Sequence, residues 1–233
     1  MFAVVDKKDL DLSLAKYIDS PFVQSFKLVG NPPRYEFVKN GYTVQSRGLH
    51  KTLRGKYYPK YKHTRRRRKT QKKGSSKRTG TAVDKAIFKY IANGTKPRQW
   101  MAKMLIRFWE VTIEHTLQVT QLPVYIDSLK CATQVDVITK SKDGKLYLWE
   151  VKTGFPPGGA LKKGVFMKNI PSTIYNHWEL QRHFTCIGLL DHIDILLENS
   201  RVINVYKEVQ KTKQVSRVQA RKQPLWTNRL QQK

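Results

Sequence analysis

One stretch decides how the sheet of this 233-residue chain is built: residues 132–154, ATQVDVITKSKDGKLYLWEVKTG. The runs 132–139 and 145–151 are rich in β-branched, aromatic and aliphatic residues, a composition typical of strands. The residues between these runs end in Asp143-Gly144, a dipeptide that favours a tight hairpin turn. The sequence therefore predicts two neighbouring antiparallel strands.

Three ionisable residues stand on these strands at positions that bring them together. Side chains alternate between the two faces of a strand, so Glu150 and Lys152 share one face and Val151 takes the other. Asp136 lies on the preceding strand, and cross-strand neighbours are only a few ångströms apart, so it can meet Glu150. Two leucines precede Glu150 on the same face, which indicates a buried face rather than a solvated one.

Two carboxylates and an ammonium group on a buried face are costly unless another group compensates their charge. A divalent cation is one such group, since Mg²⁺ or Mn²⁺ takes oxygen ligands and keeps waters and substrate phosphates in its shell. The metal can activate a water and polarise a phosphate, and a neighbouring lysine can stabilise the charge that develops. The alternative is a solvent-exposed cross-strand salt bridge, worth about 0–1 kcal/mol.

On either side of this hairpin the sequence alternates between helical and strand patterns. The predicted elements are helices at 8–18, 81–94, 98–118 and 172–190, a hairpin at 34–45, a strand at 121–126 and a strand–turn–strand at 194–209. This order predicts an α/β fold in which a mixed central β-sheet is flanked by helices.

Positive charge is concentrated in two segments of the chain. There are 45 Lys and Arg residues against 17 Asp and Glu, a formal net charge of +28. Residues 47–78 hold 15 of these cations and no acid, and residues 207–233 hold eight cations and one acid. The rest is close to charge balance, and 39% of the chain is hydrophobic, which is enough for a folded core. The predicted organisation is an N-terminal segment (1–46), a flexible basic connector (47–79), a folded α/β domain (80–206) and a basic C-terminal tail (207–233).

The connector contains a block of consecutive cations that will not bury and needs a polyanion or solvent as its partner. Nucleic acid is the strongest candidate, because each neutralised phosphate releases a counterion and adds salt-sensitive affinity. Tyrosines interleaved with lysines just before the block can stack on unpaired bases. A nuclear import signal is a compatible reading. The residues expected to contact phosphate here are Arg65, Arg66, Arg67, Arg68, Lys69, Lys72 and Lys73.

Composition also excludes several classes of protein. No run approaches the ~18 apolar residues of a membrane-spanning helix, so a transmembrane protein is excluded. The opening residues, MFAVVDKKDL, hold too short an apolar run for a secretory signal. Two cysteines, Cys131 and Cys186, cannot form a disulfide framework or a four-thiolate metal site. A reducing intracellular compartment is therefore expected, and the arginine block would suit the nucleus.

The order of these residues resembles the PD-(D/E)xK nuclease superfamily, and within it the RecB-like and viral or phage exonuclease branch. The match consists of Asp136, the run 150–154 (Glu-Val-Lys-Thr-Gly) and Gln181 on the next helix. RTGTAVDKAI, residues 78–87, is similar to the Gly-Thr helix start that precedes the core in that branch. The resemblance covers roughly residues 78–190.

This resemblance implies a restriction-endonuclease-like core and a set of residue roles. Asp136 and Glu150 would be metal ligands, and the carbonyl of Val151 would add a ligand. Lys152 would serve the attacking water or the transition state. Gln181 would orient the lysine or a substrate phosphate, with a hydrogen-bonded core glutamine as the alternative.

The chain departs from the family pattern at several points. Asp84 stands where the family has a helical histidine, and an aspartate is a competent ligand for a hard cation. The alternative for Asp84 is an early-helix acid favoured by the helix dipole. Thr185 replaces the aromatic residue four positions after the glutamine. Two cysteines exclude the four-cysteine iron–sulfur cluster of some branches.

Further phosphate contacts are expected next to these motifs. The Gly- and Pro-rich loop 154–164 follows the second strand directly, and its glycines permit close backbone approach. Lys162 and Lys163 in this loop are expected to help hold the scissile strand. Arg182, next to Gln181, is a further candidate for a phosphate contact, with a surface position as the alternative.

These observations predict a Mg²⁺- or Mn²⁺-dependent deoxyribonuclease, an exonuclease or end-processing enzyme of recombination, repair or replication. The partner would be DNA, with RNA as the other nucleic acid that the charge would suit. The main alternative is a nucleic-acid-binding or packaging protein that keeps the nuclease fold without catalysis, and a structural ribonucleoprotein component is a third reading. The intact Glu-x-Lys favours the enzyme. Exonuclease or endonuclease action, cleavage polarity and oligomeric state stay open.

Overall fold

The structure is a computed structural model, and it describes residues 2–6, 8–57, 75–154, 160–166, 170–210 and 213–221. Its strands are β1 (Ala3–Val4), β2 (Lys27–Val29), β3 (Arg34–Lys39), β4 (Tyr42–Gly48), β5 (Thr116–Ile126), β6 (Cys131–Lys140), β7 (Leu146–Thr153), β8 (Ala160–Phe166), β9 (Ile170–Thr173), β10 (Ile195–Gln210) and β11 (Lys213–Arg221). Its α-helices are α1 (Leu12–Ile18), α2 (Pro21–Ser25), α3 (Leu49–Lys56), α4 (Ser75–Asn93), α5 (Trp100–Arg107) and α6 (Ile174–Ile187).

The predicted antiparallel hairpin is the centre of a mixed sheet. The strands β6 and β7 pair from Lys140↔Leu146 to Val137↔Trp149. The sheet runs in the order β11-β10-β7-β6-β4-β3-β2, and β5 pairs with both β1 and β6. The strand β10 lies parallel to β7, whereas β10 and β11 are antiparallel. The predicted α/β class with a mixed, helix-flanked sheet is confirmed.

Helices cover both faces of this sheet because its strands are apolar on both sides. On one face Leu148 of β7 belongs to a cluster with Leu180 of α6, together with residues of α1 and α3. On the other face Val151 of β7 packs in a cluster with α4 and α5. The faces alternate residue by residue along β7, so Glu150 and Lys152 lie on the α3/α6 side.

The N-terminal residues belong to the same sheet as the predicted folded domain. The predicted hairpin at 34–45 is confirmed as β3 and β4, and the predicted first helix is α1, capped by the Asp11 carboxylate. The strand β4 pairs in parallel with the start of β6, through Arg47↔Cys131 and Gly48↔Ala132. The boundary predicted at Gly80 therefore does not separate two folding units.

The expectation of a flexible connector over 47–79 is wrong at both ends. Residues 49–56 form α3, whose Leu49 and Leu53 are 1% and 0% exposed, and α4 begins at Ser75. The pair of leucines four residues apart anchors α3 to the core despite its high charge. The remaining part, 58–74, lies outside the described residues, and so do the seven predicted phosphate contacts from Arg65 to Lys73.

Two further expectations differ from the structure. The helix predicted over 98–118 ends in a π-helical turn, Phe108–Thr112, and β5 begins at Thr116. The strand–turn–strand predicted over 194–209 is one strand, β10, with a register shift between Ile195 and Ser200. The Ser200 hydroxyl donates to the Leu197 carbonyl at 2.6 Å, so polar residues that resemble a turn form a bulge.

The predicted C-terminal tail also contains regular structure. Residues 207–210 continue β10, and 213–221 form β11, which pairs with β10 from Gln210↔Lys213 to Val202↔Arg221. Residues 222–233 lie outside the described part of the chain. Among the described residues no helix is long and apolar enough to span a membrane.

Candidate active site

The candidate site lies where the β6–β7 ladder opens. The last pair is Val137↔Trp149, and the next position along the two strands holds Asp136 and Glu150. There the N–H of Val151 donates to Oδ2 of Asp136 at 2.8 Å. Thr120 Oγ1 donates to the carbonyl of Asp136 at 2.6 Å. Asp136 is therefore held through both its backbone and its side chain.

Glu150, Lys152 and Gln181 form a connected set beside Asp136. The Glu150 side chain is 1% exposed and pairs with the Lys152 ammonium, whose side chain is 19% exposed. Lys152 Nζ also donates to Oε1 of Gln181 at 3.4 Å. Gln181 is on α6, which packs over the same face of the sheet. The structure thus brings together the four residues that the sequence predicted as catalytic.

The electrostatics of the set follow from three acids and one lysine in a buried place. Burial, and then the charge of Glu150, raise the pKa of Asp136 well above its ordinary value. Burial pulls the pKa of Lys152 down, but Glu150 and Asp136 outweigh it, so that pKa is raised. The ammonium is therefore stabilised as a cation, while the ionised form of Asp136 is destabilised unless another positive charge arrives.

Asp84 on α4 belongs to the same electrostatic group. Burial raises its pKa to about 6, with Lys152 acting to lower the value and Glu150 to raise it. The helix begins close to the end of β7, since a Cβ on Gly80 would be 3.6 Å from Thr153 Oγ1. The sequence-predicted position of Asp84 beside the Glu-x-Lys strand agrees with this arrangement.

Replacing Asp84 with asparagine should stabilise the metal-free protein in a pH-dependent way. A carboxyl whose pKa rises from 3.8 to about 6 on folding lowers the free energy of unfolding when it is ionised. This destabilisation is absent below about pH 4, grows between pH 4 and 6, and is constant above pH 6. We expect a gain of about 1–2 kcal/mol at pH 7 in EDTA, discounted for partial exposure. Thermal melts of both proteins between pH 4.5 and 7.5 check this, and a gain independent of pH would contradict it.

The donor set suits a hard divalent cation, although its members are bonded to protein groups. Asp136, Glu150 and Asp84 supply carboxylate oxygens, the ligand type that Mg²⁺ and Mn²⁺ prefer. Within the described residues no three His, Cys, Asp or Glu side chains are already grouped around one point to hold a metal. Oε1 of Glu150 is paired with the Lys152 ammonium, and Oδ2 of Asp136 accepts from the Val151 N–H. A cation at Glu150 would therefore share this carboxylate with the Lys152 ammonium or replace the ammonium there.

Three residues near the site were missed in the sequence. Tyr35 of β3 has its pKa raised by burial and then by Asp136. His50, in the first turn of α3, has its pKa lowered by burial and then by Lys152. His177 of α6 has its pKa lowered to about 4 by burial and then by His50. The leucine spacing of α3, and the position of His177 one helical turn before Gln181, were the available signals.

The expectation that Arg182 contacts phosphate is wrong. Its side chain is 0% exposed, and its Nε donates to Glu179 Oε2 at 2.8 Å. Its Nη1 donates to the hydroxyl of Ser200 on β10. A buried, paired arginine joins α6 to the sheet and does not present its charge to a ligand.

The predicted loop after β7 is only partly described. Residues 155–159 lie outside the described residues, and Lys162 and Lys163 lie in β8, which pairs with β9. These two lysines are therefore on a strand and not in an irregular loop. Their contact with a scissile strand stays a prediction.

A scan against protein-family models, a search of curated proteins and a search of solved structures each found no match to this chain.

Proposed function

We propose that this chain is a metal-dependent deoxyribonuclease with a restriction-endonuclease-like core, acting as an exonuclease or on DNA ends. One observation supports this above all others. Asp136, Glu150 and Lys152 lie side by side where the β6–β7 ladder opens, and Gln181 is within hydrogen-bonding distance of the lysine. Buried carboxylates with a raised pKa are common at sites that need a cation or transfer a proton.

The carboxylates of Asp136 and Glu150 would hold Mg²⁺ or Mn²⁺, with Asp84 as a further ligand from α4. The bound ion would supply a Lewis acid for the phosphate and an activated water. Its charge would compensate the repulsion that raises the pKa of Asp136. The Val151 N–H keeps the Asp136 carboxylate oriented from the same strand that carries Glu150.

Lys152 and Gln181 would act on the substrate once Glu150 turns to the cation. The ammonium, whose pKa is raised, stays protonated and can stabilise the negative charge that develops on the scissile phosphate. The Gln181 carbonyl oxygen accepts from Lys152 and so limits where the ammonium can go. Gln181 therefore positions the lysine in this proposal.

The experiment that tests this function is cleavage of end-labelled linear DNA and of a covalently closed circle in Mg²⁺, in Mn²⁺ and in EDTA. We expect metal-dependent loss of the linear substrate and none in EDTA. Sparing of the circle would assign an exonuclease, and nicking an endonuclease. Asp136→Asn is the control, because its amide oxygen can still accept the Val151 N–H. Cleavage in EDTA, or equal cleavage by the control, would contradict the proposal.

A second candidate is a nucleic-acid-binding or packaging protein without catalysis. The observation that favours it is the Glu150–Lys152 ion pair, which already neutralises one proposed metal ligand. The same assay separates the two candidates, since tight DNA binding with no cleavage in either metal would select the second.

A further inference from the structure

A cleft of about 400 Å³ is lined by residues of α1, of α2 and of the turn that joins β3 to β4. Its volume is in the range of sites that bind small ligands. Four aromatic side chains contribute to its walls: Tyr17, Phe22, Tyr125 and His192. His192 is exposed, and its ring stacks on that of Tyr17 with the centroids 5.2 Å apart. The cleft therefore offers a planar ligand aromatic surface to pack against.

An ion pair lines the same cleft. Lys39 Nζ lies 2.5 Å from Asp127 Oδ1 and 4.4 Å from the centroid of the Tyr125 ring. The ammonium donates hydrogen bonds and the carboxylate accepts them, so a ligand edge with both acceptors and donors can bond to the two groups. A nucleobase combines such an edge with two aromatic faces.

Two simpler explanations do not account for this cleft. Empty cavities left by imperfect packing are apolar, whereas this cleft carries the pair of Lys39 and Asp127. Stabilisation of the fold is the other explanation for the pair. The two side chains are 31% and 62% exposed, and an ion pair exposed to this degree contributes little to stability because solvent screens it.

The cleft and the candidate active site lie along the same face of β3. Tyr35, Phe37 and Lys39 are alternate residues of this strand, so their side chains share one face. Lys39 lines the cleft. Tyr35 lies near the candidate site, because the charge of Asp136 adds to the burial that raises the pKa of this tyrosine. Four residues of strand separate Tyr35 from Lys39, about 13 Å at ~3.3 Å per residue.

Packed aromatic rings connect these two places. The Phe37 ring lies 5.1 Å from the Tyr125 ring at the cleft. The Phe26 ring stacks on the rings of both Phe37 and Tyr35, at 6.0 and 4.9 Å between centroids. This packing fixes the position of the cleft relative to the candidate site. A nucleic-acid strand held at Asp136 can therefore reach the cleft with a base a few nucleotides away.

We propose that this cleft binds an unpaired nucleobase of a single strand whose backbone extends to the candidate active site. Aromatic side chains bind unpaired bases of any sequence, because every base has an aromatic face. A base in a duplex is excluded, since its edge is already hydrogen-bonded and its faces are already stacked. The net charge of +28 favours a base in a polyanionic strand over an uncharged heterocycle. Base binding is independent of the proposed function; only the supply of the strand to a cleavage site rests on it.

The test measures binding in EDTA of a labelled single-stranded oligonucleotide, of the blunt duplex that contains it and of the free mononucleotide. The cleft variant is Lys39→Gln with His192→Ala. The control variant is Lys130→Gln with Tyr42→Ala, which also removes one cation and one ring. Lys130 pairs with the same Asp127, and Tyr42 is exposed at the same turn, but neither is among the described residues that line the cleft.

We expect the cleft variant to bind the single strand about fivefold or more weakly than the wild type, the effect of losing one stacked base. Its affinity for the duplex should be unchanged, and the control should bind both as the wild type does. Equal weakening by the two variants, equal weakening for strand and duplex, or no single-strand binding by the wild type would each overturn the proposal. Binding of the mononucleotide as tightly as the strand would also overturn it.

A crosslinking measurement on the wild type makes the test independent of how the variants fold. A single strand that carries 5-iodouracil, which on irradiation crosslinks to aromatic rings in contact with it, should attach to Phe22, Tyr125 or His192. Crosslinks found only outside the cleft would overturn the proposal. Crosslinks in the cleft without any cleavage in Mg²⁺ or Mn²⁺ would leave this inference standing and remove the nuclease function alone.

Discussion

Replacing Asp136 with asparagine is expected to lower the rate of DNA cleavage about 10³-fold, because a metal ligand contributes several kcal/mol to stabilising the transition state. The amide can still accept the Val151 N–H, so the strand geometry should persist. Single-turnover cleavage in saturating Mg²⁺ measures the loss. Wild-type rates in this variant would exclude Asp136 as a ligand.

The same substitution should raise the melting temperature in EDTA at pH 7. Burial and the charge of Glu150 raise the pKa of Asp136, so the folded state disfavours the ionised carboxylate. That destabilisation is absent below the ordinary pKa and is present in full above the raised value. The neutral amide removes it, which couples a large loss of activity to a gain in stability. A structural carboxylate would show the opposite sign.

Asp143→Asn is the matched control for this stability effect. Asp143 lies in the turn between the same two strands, where hydrogen bonding to Lys145 lowers its pKa to about 2. A carboxylate with a lowered pKa stabilises the fold above that pKa, so its loss should leave the melting temperature unchanged or reduce it. Addition of Mg²⁺ should raise the melting temperature of the wild type more than that of Asp136→Asn.

Replacing Lys152 with methionine is expected to destabilise the metal-free protein by about 3–5 kcal/mol, because it leaves the Glu150 charge buried without its described partner. Urea unfolding in EDTA at pH 7 measures this. The double variant Glu150→Gln with Lys152→Met should recover most of the loss, since it removes both charges. Mg²⁺ should recover part of it in the single variant if the cation binds Glu150.

An exposed ion pair provides the comparison for Lys152→Met. Lys142 Nζ lies 2.6 Å from Glu114 Oε2, with the two side chains 74% and 59% exposed. Lys142→Met should cost at most about 1 kcal/mol, because solvent screens this pair. If Lys142→Met and Lys152→Met lower the free energy of unfolding equally, the burial argument is contradicted. Solvent would then screen the Glu150 carboxylate as it screens an exposed charge.

Much of the site could be predicted because it depends on local geometry. The two-residue period of a strand places Glu150 beside Lys152, and a short hairpin places Asp136 opposite them. Gln181 could be placed only through the resemblance, because nothing local relates α6 to β7. In the structure it is α6 packing on the sheet that brings the glutamine to the lysine.

The missed features depend on contacts between distant parts of the chain. His50 lies in a strongly basic stretch, and this charge predicted a connector. The stretch is nevertheless a packed helix, α3, because Leu49 and Leu53 belong to the core. The prediction of a phosphate contact at Arg182 overlooked Glu179, three residues earlier, which is its buried partner in the structure. The polar residues before Ser200 read as a turn, although in the structure they are a bulge within β10.

The two parallel pairings of the sheet have a kinetic consequence. The strands β4 and β6 are far apart in the sequence: Ser46 and Lys130, which are in contact where they pair, are separated by 84 positions. The parallel partner of β7 is β10, which follows α6 in the sequence. Pairings of such long sequence separation slow the folding of a chain. The candidate site also needs α6, whose Gln181 contacts Lys152, so a chain still in synthesis would carry Asp136, Glu150 and Lys152 before Gln181 can join them.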